Sequence, residues 1–351
     1  MLIYNLLFLL LVCVYVFGEE SGLINPLLLV VATTLALFAG IRAVDVSQDG
    51  ANYTYMFDHA NSYTDYFKST NELMATVIPV TLKYLGIYNY LSIFLVFAIL
   101  GVAFKIMAIK KYSAIPLLSC LFYYIHIFLL HEMTQIRVGV ATGILLFAVT
   151  DIYHKRLVKF LIKVAIATTF HTSAVIFIVA YFFSATTIKK WWYLCGLIII
   201  IPLGLTKLFN PLRLIPGLTA LNSKLALYDL LLSSTQAINL ININMLWNLL
   251  LLAMVLYFDS ELIKVNKYSL IFIKLFYCGF IATFLFAAIP VLSWRISEIF
   301  TCSGFIVVSY IPFVVKPKYV SLPLLICSAL GLLSLDLFRQ GLVLPYHTLL
   351  G

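Results

Sequence analysis

Between Leu2 and Leu335 the chain alternates long apolar blocks with short polar intervals. The blocks hold roughly 16 to 22 residues, the length a helix needs to cross about 30 Å of hydrocarbon. Inside them polar and apolar positions do not alternate with period two, which excludes the strands of a membrane barrel. The pattern predicts crossing helices near 3–17, 24–40, 91–108, 114–130, 135–153, 191–208, 243–258, 268–289, 294–314 and 319–335. The expected fold is all-α: a polytopic transmembrane helical bundle of about ten crossing helices, forming a single integral membrane domain over residues 1–351. Two intervals, 41–90 and 210–242, are too long to be plain connectors, and their amphipathic stretches predict short helices lying on the interface.

Composition supports this pattern. With 63% hydrophobic and 11% charged residues and a mean hydropathy of +1.06, the chain has too little charge to solvate a soluble surface, so lipid is its main solvent. The first block lacks a basic leader and a small-residue cleavage site after it, so it reads as a retained helix. All six cysteines lie in apolar blocks without paired spacing, which suggests neither a disulfide framework nor a zinc site.

Charge decides the topology of 157–184. As a single crossing it would put Lys189 and Lys190 opposite Lys155, Arg156, Lys159 and Lys163 and invert every later loop. As a re-entrant helical pair, 157–169 and 172–184, turning at Phe170-His171-Thr172, it keeps both basic clusters inside. Lys105, Lys110, Lys111, Lys264, Lys267, Lys274, Lys316 and Lys318 then also fall inside, and the whole net charge of +9 is cytoplasmic. Both termini lie outside. Non-helical backbone at such depth is tolerated where it lines a cavity, so the turn at His171 should face one.

Polar residues that could carry chemistry gather on the outer side. Arg42, Asp45, Asp49, Tyr53, Tyr55 and Asp58 offer carboxylates and aromatic hydroxyls suited to a sugar, with Asp49 as a candidate general base; a solvated loop with an interfacial tyrosine belt is the plainer alternative. His131-Glu132 and Gln135-Ile-Arg137 open the helix 135–153, where Arg137 could meet a diphosphate beside free backbone N–H groups, or simply snorkel outward. His171 sits at the re-entrant turn, where a histidine at depth faces either a site or a buried carbonyl. Arg295 and Glu298, one turn apart, are candidate ligand and base or an intrahelical ion pair. Arg213 in the second long interval and the tail residues Arg339, Tyr346 and His347 complete the set. The chain has no nucleotide-binding loop, zinc-protease motif, nucleophile elbow or dinucleotide fingerprint. No cofactor, metal or nucleic acid is therefore expected, and the substrate must arrive already activated.

Arg42…Asp49…Tyr53, Gln135-Ile-Arg137-Val-Gly-Val-Ala, Phe170-His171-Thr-Ser173-Ala-Val, Arg295 and the closing Leu-Pro-Tyr346, taken in this order, resemble the EpsG-like family of bacterial polysaccharide polymerases, which includes many Wzy-type O-antigen and capsule polymerases. The family pattern often places Asp and Tyr side by side, whereas Gly50-Ala-Asn separates them here. The resemblance implies a GT-C-like membrane glycosyltransferase of the bacterial inner membrane with its active site on the outer, periplasmic face. It would move a growing undecaprenyl-diphosphate-linked oligosaccharide onto the non-reducing sugar of a lipid-linked repeat unit and release undecaprenyl diphosphate. Membrane lipid, a chain-length regulator and a flippase are the other partners implied. On that reading Arg137 and Arg295 hold the diphosphate, with Arg42 or Arg213 assisting, Asp49, Glu132 or Glu298 is the base, and His171 shares charge with the diphosphate. Asp45, Tyr53, Tyr55, Gln135, Arg339 and Tyr346 would line the substrate. A glycan ligase or acyltransferase using the same donors is the first rival. A flippase or transporter is the second, though no internal repeat supports it.

Overall fold

The computed structural model describes residues 1–68, 72–210 and 239–348. In chain order the α-helices are α1 (Leu2–Gly18), α2 (Ile24–Gly40), α3 (Gly50–His59), α4 (Leu73–Tyr84), α5 (Leu91–Tyr112), α6 (Pro116–Phe122), α7 (Ile136–Tyr153), α8 (Leu157–Phe170), α9 (Lys190–Thr206), α10 (Ile243–Tyr257), α11 (Asp259–Val265), α12 (Ser269–Leu285), α13 (Pro290–Thr301), α14 (Gly304–Val308), α15 (Ile311–Val314) and α16 (Lys318–Leu335). Two π-helical segments, Tyr123–Glu132 and Asp336–Gln340, continue α6 and α16. Among the described residues there is no strand, only the isolated bridges Arg42 to Thr348 and Ser47 to Val343. They gather into two compact units, Met1–Tyr181 with Phe305–Gly351, and Phe182–Gly304.

Helix surfaces identify the solvent. Tyr4, Leu7, Phe8, Leu11 and Tyr15 form the buried stripe of α1, but the opposite face, with Leu2, Leu6, Leu9 and Leu10, is just as apolar and exposed. A helix in water would carry charge there, so the outward face of α1 meets lipid. By length and composition α5, α7 and the continuous Lys318–Gln340 can cross a membrane, and two broken pairs, α10 with α11 and α13 with α14–α15, pass the same test together. Helices α1, α2, α9 and α12 each have 17 residues, about 25 Å of rise, at the lower limit for a crossing. The protein is a polytopic helical membrane protein.

In the first unit α2, α5, α7 and α8 pack in series through small residues. At Gly40 a Cβ would stand 2.9 Å from the Leu95 backbone, and at Gly143 2.8 Å from Phe104. Helix α7 ends in a Schellman turn: Arg156 N–H reaches Asp151 O, Lys155 N–H reaches Ile152 O, and Lys155 adopts a left-handed φ of 54°. The chain then runs along α8, turns at an extended His171, and returns as the 3-10 segment Thr172–Phe182. Lys155 Nζ donates to Tyr181 O at 3.1 Å and Tyr181 OH donates to Lys155 O at 2.9 Å, so the two limbs close as a hairpin with their ends together. The two limbs thus form the hairpin that the charge pattern predicts.

In the second unit α12 is the element against which α9, α10, α11 and α13 pack. Gly279 brings α12 close to Thr301 of α13, and Gly204 brings α9 close to Phe284. The bend between α10 and α11 is 82°.

Several expectations change. Lys105 and Lys274 are not inner-surface bases. Lys105 is fully buried and bonded to Glu132, and Lys274 is buried and donates to the carbonyls of Ser184 and Thr187. Both lie inside apolar helices, where burial partners rather than the membrane potential fix a lysine. The expected helix 294–314 is broken at Cys302-Ser303 and again at Ser309-Tyr310, and the one expected over 268–289 stops at Leu285 because Pro290 starts the next. The short helices expected in 41–90 are α3, α4 and the 3-10 segments Val44–Val46 and Tyr63–Lys68. Most of 210–242 lies outside the described residues.

Candidate functional site

A polar cluster in the first unit centres on Glu72, to which no motif in the sequence points. Glu72 caps α4 in extended conformation, φ −71° and ψ 153°, and its side chain turns inward. Arg137, the second residue of α7, donates from Nη1 to Glu72 Oε2. On the other oxygen, His171 Nδ1 and Thr172 Oγ1 each stand at 3.4 Å. One buried carboxylate therefore ties together the start of α4, the first turn of α7 and the re-entrant turn. The Arg137 guanidinium also lies 5.7 Å from the ring centroid of Tyr53 on α3. Asp49, which caps α3 and is half-buried, acts electrostatically on both Tyr53 and Arg137.

Local sequence explains how Asp49 comes to this position. At Gly50 an added Cβ would meet Val44 O at 1.9 Å, so only glycine lets the Val44–Val46 turn fold back onto the start of α3. The C-terminal tail holds that turn from the other side. Ala43 N–H reaches His347 O at 3.0 Å and Leu344 N–H reaches Val46 O at 2.8 Å. Arg42, fully buried between them, donates to Ala39 O and stacks its guanidinium 4.4 Å from the Phe94 ring, whose edge also meets Tyr53.

Electrostatics follow from this packing. Burial alone raises the Glu72 carboxyl, but the His171 hydrogen bond and the Arg137 charge outweigh it and hold the group at about 2, below its ordinary 4.5. Glu72 is thus a carboxylate at neutral pH, held by Arg137 and beside His171, and a poor proton acceptor. Burial pushes the Tyr53 hydroxyl up, which keeps it a neutral donor, and pushes Arg42 down to about 10, still protonated at neutral pH.

The cluster brings together Asp49, Tyr53, Arg137 and His171, with Arg42 behind them. Other expected residues stand elsewhere. Glu132 does not face the outer side: it is buried and bonded to Lys105, because Gly101 and Gly139 leave room for its carboxylate between α5 and α7. Tyr346 stacks on Phe38 at 4.0 Å and donates to Phe38 O, a packing contact. Exposed Asp45 pairs with His347 Nε2 at 3.0 Å, and exposed Tyr55 stacks on His59 at 3.9 Å. Gln135 caps α7 and is half-buried, and Arg339 is exposed in the second π segment. Arg295 and Glu298 lie half-buried on α13 of the second unit, and Arg213 lies outside the described residues. Only Glu72's place, an acid just before an amphipathic stretch, could have flagged it from sequence.

Chemically, the cluster offers a part-exposed guanidinium held by Glu72 and Tyr53, the N–H groups of a helix start, a half-buried carboxylate and a histidine. Among the described residues no group of three or more His, Cys, Asp or Glu side chains is placed to hold a metal ion.

The model of the EpsG family matches residues 25–348, a stretch that takes in every residue of the cluster. Among curated proteins, the amylovoran biosynthesis protein AmsC of Erwinia amylovora is 25% identical over 219 residues, covering 57% of this chain and 56% of that protein. The chain thus spans little more than half the length of this relative. No solved structure matches. With nearly its whole length matched, from α2 to the tail that pairs with the Arg42 segment, this chain belongs to the EpsG family.

Proposed function

We propose that this chain is a polysaccharide polymerase, a glycosyltransferase of the bacterial inner membrane working at the periplasmic face. The donor is a growing glycan on undecaprenyl diphosphate, and the acceptor is the non-reducing sugar of a lipid-linked repeat unit. The observation that carries this reading is the convergence of Asp49 and Tyr53 from α3, Arg137 from α7 and His171 from the turn after α8 around the Arg137–Glu72 pair. Family membership and the relative named for amylovoran biosynthesis support it.

In this mechanism Glu72 positions Arg137 through one guanidinium nitrogen. The solvent-facing part of the guanidinium, beyond its bonds to Glu72 and Tyr53, takes the diphosphate together with the first N–H groups of α7, and His171 adds a donor beside it. Asp49 accepts the proton of the acceptor hydroxyl, whose oxygen then bonds to the anomeric carbon. The bond from that carbon to the diphosphate oxygen breaks, and undecaprenyl diphosphate leaves with the electron pair. Guanidinium charge stabilises the negative charge that grows on the leaving group, an interaction stronger in the transition state than in the ground state. Exposed aromatics on α3, such as Tyr55 stacked on His59, offer faces for sugar rings. Arg295 and Glu298 on α13 remain candidates for a second contact with the lipid-linked substrates.

Deletion of the gene in its native cell tests this reading. The expected outcome is surface polysaccharide reduced to a single repeat unit, restored by the wild-type gene. Unchanged chain length in the deletion strain contradicts it.

A further inference from the structure

Lys105 lies about two-thirds of the way along α5 and is fully buried. A lysine inside an apolar helix is costly and stays only where its charge serves a purpose. Its Nζ donates to Glu132 Oε1 at 2.6 Å and to Gly139 O at 2.6 Å. These acceptors stand on either side of the chain reversal at Met133–Gln135: Glu132 ends the first π segment and Gly139 lies in the first turn of α7. A single ammonium therefore fastens the two ends of the reversal, two residues beyond Arg137.

Three further features fit a fastening built for position. The segment it terminates is π-helical, with Met133 N–H bonded to Phe128 O and Gln135 N–H to Leu130 O, five residues back in each case. Such segments are rare and recur at functional sites. Space around the pair is closed: a Cβ at Gly101 would stand 2.8 Å, and one at Gly139 3.1 Å, from Glu132 Oε1. Finally, a buried ion pair adds little stability over apolar residues of similar volume, so cohesion alone does not account for it. What it does supply is a fixed first turn of α7, and catalytic groups tolerate displacements of only about 0.5 Å.

We propose that Lys105 is a positioning residue for Arg137: by joining Glu132 to the Gly139 carbonyl it fixes the helix start from which Arg137 reaches Glu72 and the substrate. This rests on the role given to Arg137 above.

The test uses full-length protein in detergent or nanodiscs, with lipid-linked repeat units as substrate. Lys105→Met leaves Glu132 as a buried unpaired charge and should lower both Tm and turnover. The decisive variant is Lys105→Met/Glu132→Met, which removes both charges and keeps apolar volume. Its Tm should return to within a few degrees of wild type while kcat stays at least about tenfold down and KM changes little. Wild-type kcat in the double variant overturns the proposal and leaves the pair a purely structural contact. If the double variant does not accumulate, Gly139→Ala decides, since its methyl pushes on the fastening without removing a charge. A comparable fall in kcat at near-wild-type Tm supports the proposal, and unchanged kcat overturns it. Arg137→Lys, run alongside, separates the two claims. Wild-type turnover there removes the role of Arg137 itself, whereas low turnover there with full turnover in the double variant removes only the fastening.

Discussion

Arg137 is where the chemistry of this chain is most exposed to test. Its planar fork reaches Glu72 and Tyr53 together, a geometry that an ammonium cannot reproduce, and on the proposed reading the same fork meets a diphosphate. Arg137→Lys should therefore be nearly as damaging as Arg137→Ala, with polymerisation down roughly 10²-fold in either case. Polymer length in cells carrying each variant at matched protein level measures this. Near-normal polymer from the lysine variant would mean that Arg137 only carries charge toward the interface. Glu72 makes a different prediction. Its pKa of about 2 lies below the ordinary 4.5, so its pairing stabilises the fold fully above about pH 4.5 and is lost progressively as pH falls through 2. Thermal unfolding in detergent should show wild type more stable than Glu72→Gln at pH 7, with the gap narrowing between pH 4.5 and 3. A gap that does not change with pH would show that the Glu72 carboxylate does not titrate as its partners require.

At the scale of elements, the hairpin of α8 and Thr172–Phe182 carries the topology. The reciprocal bonds between Lys155 and Tyr181 predict that cysteines placed at both positions cross-link under mild oxidation and react with an impermeant reagent from the same side. Labelling of the two from opposite sides would turn the hairpin into a crossing and invert every later element. Much of this level was legible in the sequence, because apolar block length sets helix length. The hairpin turn at His171 was expected from the placing of the basic clusters alone. What stayed hidden depends on contacts between distant segments. Lys105 looks like an inner-surface base because charge counting cannot tell a lysine near a helix end from one turned inward onto Glu132. The π-helical register of Tyr123–Glu132 has no apolar periodicity of its own to read. Glu72 becomes central only when α4 brings its cap against α7 and α8. Asp49, Tyr53, Arg137 and His171, by contrast, stood out in the sequence as polar residues between apolar blocks, and the structure places all four in one cluster.

In the whole molecule, solvent, cluster and family point the same way. Apolar residues on the outward face of α1 put the chain in lipid, where its substrate would also be anchored. The polar cluster lies in the unit built from Met1–Tyr181 and Phe305–Gly351, and the family match spans both units. The central claim, that this protein lengthens a glycan carried on a lipid diphosphate, is tested most directly by purified protein in nanodiscs given radiolabelled lipid-linked repeat units and nothing else. The account predicts a ladder of products differing by one repeat unit, with release of the lipid diphosphate, and no ladder from Arg137→Lys. A single transfer to another acceptor, movement of the substrate across the bilayer without bond formation, or an undiminished ladder from the lysine variant would contradict it.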